Sequence, residues 1–126
     1  MKVFLSIKYY DDMRNKNLIE SICNLLEGKG IEIFVFARDI QNYKKCKLSP
    51  QEIMKIAFDE IKSSDILLVD ASELSIGVGI EVGFAYSNNI PIYLIANNKA
   101  YVSNSVKGVS EKSIFYDNVS EILNLF

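Results

Sequence analysis

The sequence predicts one α/β domain built on a parallel sheet, and three observations lead to this prediction. Short apolar runs rich in β-branched residues alternate with segments of helical period along the whole chain. The apolar runs are nearly continuous, which is typical of strands buried on both faces. The length of 126 residues suits a single domain. We therefore expect a doubly wound, five-stranded parallel sheet of the flavodoxin-like (Rossmann-like) layout over residues 1–126.

The elements follow one another in a regular β-α order. The strands are predicted, in chain order, at Val3–Ile7, Ile31–Phe36, Ile66–Val69, Ile90–Ile95 and Ser113–Tyr116. Helical spacing of apolar residues predicts the first three helices around Leu18–Leu26, Ile53–Ile61 and Val82–Tyr86. A final helix is expected after the fifth strand.

Local signals mark where individual helices begin and end. The stretch Ser49–Glu52 combines an N-cap serine, a proline at the first helical position and the glutamate of a capping box. Asn118–Glu121 repeats this pattern for the last helix. Gly28 and Gly30 flank the position where the first helix should stop and the second strand begin.

Composition excludes several classes of function. The chain is 49% hydrophobic and 24% charged, with a net charge of −2, so neither a membrane span nor a nucleic-acid polymer as partner is expected. The short apolar N-terminal run is a strand rather than a secretion signal, which predicts a cytoplasmic protein. The chain has no histidine, and Cys23 and Cys46 alone make no zinc set. Catalysis must therefore use carboxylates, hydroxyls, lysines or backbone amides, and no metal or cofactor is expected.

The segment after the third strand is the best candidate for a functional site. Gly77 and Gly79 are expected to form a tight turn before a helix, where Ser75 adds a hydroxyl, and such an arrangement can bind an anion. Glu81 is expected in the first helical turn, where the helix dipole favours an ionised carboxylate. An ionised carboxylate can attack a sugar carbon, although a glutamate there can equally serve only to stabilise the helix end.

This segment resembles a known family. The run Ser75–Ala85 resembles the signature of the nucleoside 2-deoxyribosyltransferase family, and within it looks most like that of the 2′-deoxynucleoside 5′-monophosphate N-glycosidases. Asp65–Val69 is similar to the strand before the signature, and Ser103–Val109 to a late segment of the family. Ser6–Lys8 is similar to the Ser-Ile-Arg that helps to bind phosphate in the monophosphate hydrolases.

The resemblance implies a chemistry and a set of roles. Glu81 attacks the anomeric carbon and expels the base, and water or another base then resolves the glycosyl-enzyme ester. A small nucleotide or nucleoside is the implied partner, with a phosphate site formed by Ser6, Lys8, Ser75, Gly77, Gly79 and Ser103. Serines at positions 75 and 103 replace an acid and an asparagine of the transferases, and hydroxyls can donate to a phosphate that a carboxylate would repel. Ser103 is expected to act across the interface of a homodimer or higher homo-oligomer.

Two family positions differ in this chain. The family's aspartate on the second helix aligns with Ala57, which leaves Asp59, in a shifted register, as the candidate catalytic substitute. The first-strand tyrosine that orients the nucleophile aligns with Phe4, with Tyr9 and Tyr10 as imperfect replacements. These differences keep three alternatives open: base exchange by a transferase, NAD cleavage as in some TIR-type domains, and nucleotide binding without turnover.

A basic stretch after the second strand has two possible interpretations. The segment Arg38–Leu48, which contains three lysines, is long for a loop between a strand and a helix. It can serve as a lid over the site or simply as a solvated basic loop.

Overall fold

The fold is described from a computed structural model that covers residues 1–126. Five parallel strands form one sheet in the order β2-β1-β3-β4-β5. Their bounds are β1 Lys2–Ser6, β2 Glu32–Phe34, β3 Ile66–Asp70, β4 Ile92–Asn97 and β5 Lys112–Tyr116. The strand order reverses direction between β1 and β3, as in flavodoxin-like folds, and the predicted fold class is confirmed.

Helices connect the strands and cover the sheet on both faces. Their bounds are α1 Lys16–Glu27, α2 Phe36–Asp39, α3 Pro50–Lys62, α4 Ile76–Ser87 and α5 Asn104–Val109, with a 3-10 helix at Val119–Leu125. One apolar core lies between the sheet, α1 and the 3-10 helix, and the other lies between the sheet, α3, α4 and α5. No helix is both long enough and apolar enough to cross a bilayer.

The predicted helix signals are present in the structure. The Ser49 side chain accepts from the Glu52 amide while the Glu52 carboxylate accepts from the Ser49 amide, and Asn118 and Glu121 make the same reciprocal pair. The first helix stops at Gly28, and Gly30 takes a φ of +77°, a conformation that glycine adopts without steric cost.

Some predicted boundaries differ from the observed ones. The second strand is shorter than predicted because Phe36 already belongs to α2, whose first turn is held by the Asp39 carboxylate accepting from the Val35 amide. The last helix is a 3-10 helix of seven residues rather than an α-helix. In α4 the predicted apolar face includes Tyr86, but that side chain is exposed. These differences leave the order of the elements unchanged.

The topology brings several loops to one edge of the sheet. In a parallel sheet, the carboxyl ends of β1, β2 and β3 lie along the same edge, and ligands bind there near the change of strand direction. Ser6, the last residue of β1, is in register with Val69 near the end of β3. The start of α4 follows β3 directly at this edge.

Candidate active site

A cavity of about 400 Å³ opens at this edge of the sheet. Its walls come from β1 and the loop after it, from the segment that follows β2, and from α3 and α4. Most of its lining is hydrophobic, with a few polar side chains, which is the usual character of a small-molecule site. The volume suits a ligand of nucleotide size.

The start of α4 presents hydrogen-bond donors to this cavity. Ser75 is the N-cap, and its hydroxyl oxygen accepts from the Val78 amide at 3.3 Å. The amides of Ile76 and Gly77 make no hydrogen bond within the chain, as expected for the first residues of a helix. Ser75 and Gly77 both line the cavity, so a hydroxyl and helix-end amides are available there for an anion.

The two glycines do not form the expected turn. Gly77 and Gly79 both lie in the first turn of α4, and neither has a positive φ. The helix begins earlier than predicted because Ser75 caps it directly. Gly77 lines the cavity, whereas Gly79 does not and is exposed.

Glu81 also lines the cavity, on the second turn of α4 rather than the first. One carboxylate oxygen, Oε1, accepts a hydrogen bond of 2.6 Å from the hydroxyl of Ser6. The other oxygen, Oε2, has no hydrogen-bond partner, and no lysine or arginine forms an ion pair with this carboxylate. One oxygen of the Glu81 carboxylate is therefore hydrogen-bonded, and the other is not.

The charge state of Glu81 differs from the sequence-based expectation. Burial raises the pKa of Glu81 to about 7, and the Ser6 hydrogen bond lowers it by a smaller amount. The helix dipole acts mainly within the first turn, so in the second turn the loss of solvent outweighs it. The carboxyl is closely surrounded by protein atoms yet keeps partial access to solvent through the cavity. Glu81 therefore titrates near neutral pH.

Lys8 contributes a positive charge at the cavity. Its side chain lines the cavity, and its ammonium group lies 3.6 Å from the Glu73 carboxylate in the loop after β3. The Asn15 side chain donates to the Lys8 carbonyl at 2.9 Å and so holds the loop after β1. Tyr10 donates from its hydroxyl to the same Glu73 carboxylate. These contacts hold the loop after β1 against the loop after β3, with Lys8 at the cavity.

Asp59 does not reach the cavity. Its carboxylate is exposed and pairs with Lys55 at 2.7 Å one turn earlier on α3. Ala57 is the residue of α3 that lines the cavity, and two residues further along a helix corresponds to a rotation of about 200°. The structure therefore separates Asp59 from Glu81, and the cavity has no second carboxylate on α3.

Ser103 also lies outside the cavity of its own chain. It is the N-cap of α5, where its hydroxyl oxygen accepts from the Ser105 amide at 3.2 Å. Tyr9 and Tyr10 are the candidate replacements for the family's first-strand tyrosine. Tyr9 lines the cavity, and the Tyr10 hydroxyl donates a hydrogen bond to Glu73. Neither donates to Glu81, and Phe4 lines the cavity and packs against Phe34.

Sequence reasoning missed most of the cavity wall. Ile53 and Met54 line it together with Ala57, at the spacing of three and four residues that defines one helix face. Phe36, an aromatic residue that the sequence offers for stacking on a base, also lines the cavity, as do Asp11 and Asn15 from the segment after β1. The helical spacing of α3 was visible in the sequence, but which face meets a cavity depends on tertiary packing.

The basic stretch after β2 contributes partly to the site. Gln41, Lys45 and Cys46 line the cavity, while Lys44 and Lys47 are exposed to solvent. The Tyr43 hydroxyl donates to the Glu20 carboxylate at 2.7 Å and fastens the segment to α1. No group of three or more His, Cys, Asp or Glu side chains is arranged as a metal site.

Comparison with solved structures identifies the relatives of this fold. A CMP N-glycosidase of Clostridium botulinum, BcmB, is 26% identical, with a TM-score of 0.73, and the alignment covers 100% of both chains. A 2-deoxyribosyltransferase of Bacillus psychrosaccharolyticus is 16% identical, with a TM-score of 0.77 over 98% of this chain and 91% of that one. These matches confirm the resemblance to the nucleoside 2-deoxyribosyltransferase family.

A third solved structure shares the fold over nearly the whole chain. A conserved protein of Enterococcus faecalis, 18% identical with a TM-score of 0.73, shares the fold over 99% of this chain and 98% of its own. No protein-family model and no curated protein matches the sequence. Similarities below 25% identity show only that this nucleoside 2-deoxyribosyltransferase-like fold is shared.

Proposed function

We propose that the chain hydrolyses the N-glycosidic bond of (deoxy)nucleoside 5′-monophosphates through a covalent intermediate on Glu81. The observation that carries this proposal is a carboxylate inside an apolar cavity, anchored at Oε1 by Ser6 and unbonded at Oε2. The full-length similarity to a CMP N-glycosidase supports the same class of reaction. Base exchange, the alternative reaction, uses the same first step. An assay with a free acceptor base distinguishes exchange from hydrolysis.

The proposed reaction has two steps. In the first, Oε2 of ionised Glu81 attacks C1′, the bond between C1′ and the base nitrogen breaks, and the base leaves with the electron pair and takes up a proton. In the second, water attacks C1′ and the ester bond breaks, which returns the electron pair to the carboxylate and releases the sugar 5-phosphate. A proton from the water is lost to solvent. The anomeric configuration is retained over the two inversions.

The phosphate is proposed to bind at the start of α4. The unbonded amides of Ile76 and Gly77 and the Ser75 hydroxyl supply neutral donors, and Lys8 supplies the charge. Amides at a helix N-terminus favour an anion, and charge-assisted hydrogen bonds to phosphate are stronger than neutral ones. Glu81 lies one turn further along the same helix. The phosphate site and the nucleophile could therefore contact the same substrate molecule.

The base is proposed to lie against the apolar wall. Phe36, Ile53, Met54 and Ala57 form a surface with no charged side chain. A nucleobase has a flat apolar face, and removing it from water against such a wall is favourable. An alanine at position 57 leaves room that an aspartate would fill.

One assay tests the proposed function and its alternatives. Purified protein is incubated with ribo- and deoxyribonucleoside monophosphates, with nucleosides plus a free acceptor base, and with NAD, and released base is followed by chromatography. Base and sugar phosphate from monophosphates alone support the proposal. Exchange of bases identifies a transferase, nicotinamide release identifies NAD cleavage, and binding without release contradicts an enzymatic function.

The variant Glu81→Gln tests the nucleophile. The amide keeps the size and can still contact Ser6, but it cannot form the ester, so turnover should fall by more than about 10³-fold. Binding of a monophosphate should persist in the variant. Mass spectrometry of wild-type protein quenched during turnover should show the adduct on a peptide containing Glu81, and an adduct elsewhere would contradict the assignment.

We also propose that the chain forms a homodimer through the outer face of α4. Ile76 and Ile80 are 85% and 46% exposed on this face, next to Gly79 and Gly83. A β-carbon at either glycine meets nothing within 4 Å, although glycine is unfavourable by about 1 kcal/mol inside a helix. An apolar surface kept free of side chains suits close approach of a second helix. α5, which Ser103 caps, is in contact with α4.

The variant Gly83→Leu tests the dimer without disturbing the isolated fold. Gly83 is exposed and an added β-carbon meets nothing within 4 Å in the single chain. A leucine there would block a second helix, so the mass in sedimentation should shift from dimer towards monomer. Asn24→Leu, at an exposed position of α1 on the opposite face of the sheet, is the matched control and should leave the mass unchanged. A wild-type monomer at all concentrations would refute the proposed interface.

A further inference from the structure

The contact between Ser6 and Glu81 suggests a role for Ser6 that differs from phosphate binding. Ser6 is the last residue of β1, is 1% exposed, and makes a single side-chain hydrogen bond, to Glu81 Oε1 at 2.6 Å. A serine hydroxyl has only one hydrogen to donate. While that hydrogen is given to Glu81, Ser6 has none to offer a phosphate.

We infer that Ser6 is the positioning residue of Glu81, holding one carboxylate oxygen so that the other is aimed at the sugar. This inference rests on the proposed function and names a residue that orients its nucleophile. The contact joins the end of a central strand to the second turn of α4, two elements that are themselves packed in the core. A donor on a rigid strand restricts the carboxylate more than a donor on a loop does.

Ser6 is the side chain that donates to the Glu81 carboxylate. The side chain in the middle of β1 that faces the same cavity is Phe4, which has no polar atom to offer. The Tyr10 hydroxyl is engaged with Glu73, and the Lys8 ammonium faces Glu73 as well. The phosphate donors of the α4 start are separate groups, the Ser75 hydroxyl and the amides of Ile76 and Gly77.

The same contact lowers the pKa of the nucleophile, against the larger effect of burial. A hydroxyl donating to the ionised carboxylate stabilises that form, which opposes the effect of burial. Loss of the hydroxyl therefore raises the pKa of Glu81 further above its value of about 7. A carboxyl group with a higher pKa is ionised in a smaller fraction of molecules at neutral pH. This smaller ionised fraction and the loss of orientation should both slow the first chemical step.

The variants Ser6→Ala and Ser6→Thr test the inference. Ser6→Ala should lower kcat for a monophosphate by about tenfold or more, as expected for a lost hydrogen bond to a charged group, with KM changed less than about twofold. The acid limb of its pH profile should move to higher pH. Ser6→Thr keeps the hydroxyl and should restore most of kcat and the original pH profile, while thermal unfolding verifies that both variants fold.

A direct titration separates this inference from the proposed function. The pKa of Glu81 is measured by ¹³C NMR of the side-chain carboxyl, with Glu81→Gln assigning the signal, and it needs no turnover. A higher pKa in Ser6→Ala than in the wild type supports the contact even if no substrate is cleaved. An unchanged pKa overturns the inference. A raised KM for monophosphates with kcat preserved also overturns it, because that result would make Ser6 a phosphate ligand.

Discussion

Lys8 and Glu73 form an ion pair of 3.6 Å that joins the loop after β1 to the loop after β3 beside the cavity. The Glu73 carboxylate also accepts from the Tyr10 hydroxyl and stays largely exposed. Lys8 therefore has a negatively charged partner in the absence of substrate. A bound phosphate and Glu73 would share this lysine, and the carboxylate would repel the phosphate.

Neutralising Glu73 should strengthen phosphate binding. In Glu73→Gln, Lys8 loses its competing partner and the repulsion disappears, so KM for a monophosphate should fall about two- to fivefold, the range expected for an exposed ion pair. The matched nucleoside should bind unchanged. Glu111→Gln, which neutralises an exposed carboxylate with no ion pair, is the control. A KM that is unchanged or higher in Glu73→Gln would mean that Lys8 does not contact the phosphate.

Charge at position 75 should decide between monophosphates and nucleosides. Aspartate and asparagine cap helices about as well as serine, so Ser75→Asp and Ser75→Asn should both preserve α4. Ser75→Asp places a negative charge beside the phosphate and should raise KM for monophosphates at least about tenfold, with little change for nucleosides. Ser75→Asn should stay within about threefold. Equal effects of the two variants on KM would remove Ser75 from the phosphate site.

The activity should rise with pH through the titration of Glu81. Since burial raises the pKa of Glu81 to about 7, the attacking carboxylate is mostly protonated at pH 6 and mostly ionised at pH 8. Below neutrality kcat should fall tenfold for each pH unit. The negative charge of a bound phosphate can only raise this pKa, so the midpoint should lie at or above 7. A midpoint near the ordinary value of 4.5 would contradict the buried environment of Glu81.

The same pKa shift predicts how stability depends on pH. Between pH 4.5 and about 7 the folded chain binds more protons at Glu81 than the unfolded chain, so this group lowers stability as pH rises through that window. Glu81→Gln cannot ionise and should be more stable than the wild type at pH 8 by at least about 1 kcal/mol, or roughly 3–6 °C in Tm. Below pH 4.5 the difference should vanish. A variant that is less stable at both pH values would contradict this origin of the shift.

Much of the fold could be predicted from the sequence because its signals are local. Continuous apolar runs mark buried parallel strands, and the capping boxes at Ser49 and Asn118 mark helix starts without reference to the rest of the chain. The placement of Ser75 and Glu81 at one edge of the sheet also follows from the order of strands and helices along the chain. In a parallel sheet, a helix that starts after β3 must begin at the carboxyl ends of the strands.

Only the tertiary structure decided how distant parts of the chain are placed relative to one another. The distance between Ser6 and Glu81 depends on how α4 packs on β1, and the raised pKa of Glu81 depends on how many protein atoms surround it. The rotation of α3 about its axis brings Ala57 to the cavity and turns Asp59 to solvent. Burial and side-chain contact are properties of packing in three dimensions, and no local pattern in a single sequence encodes them.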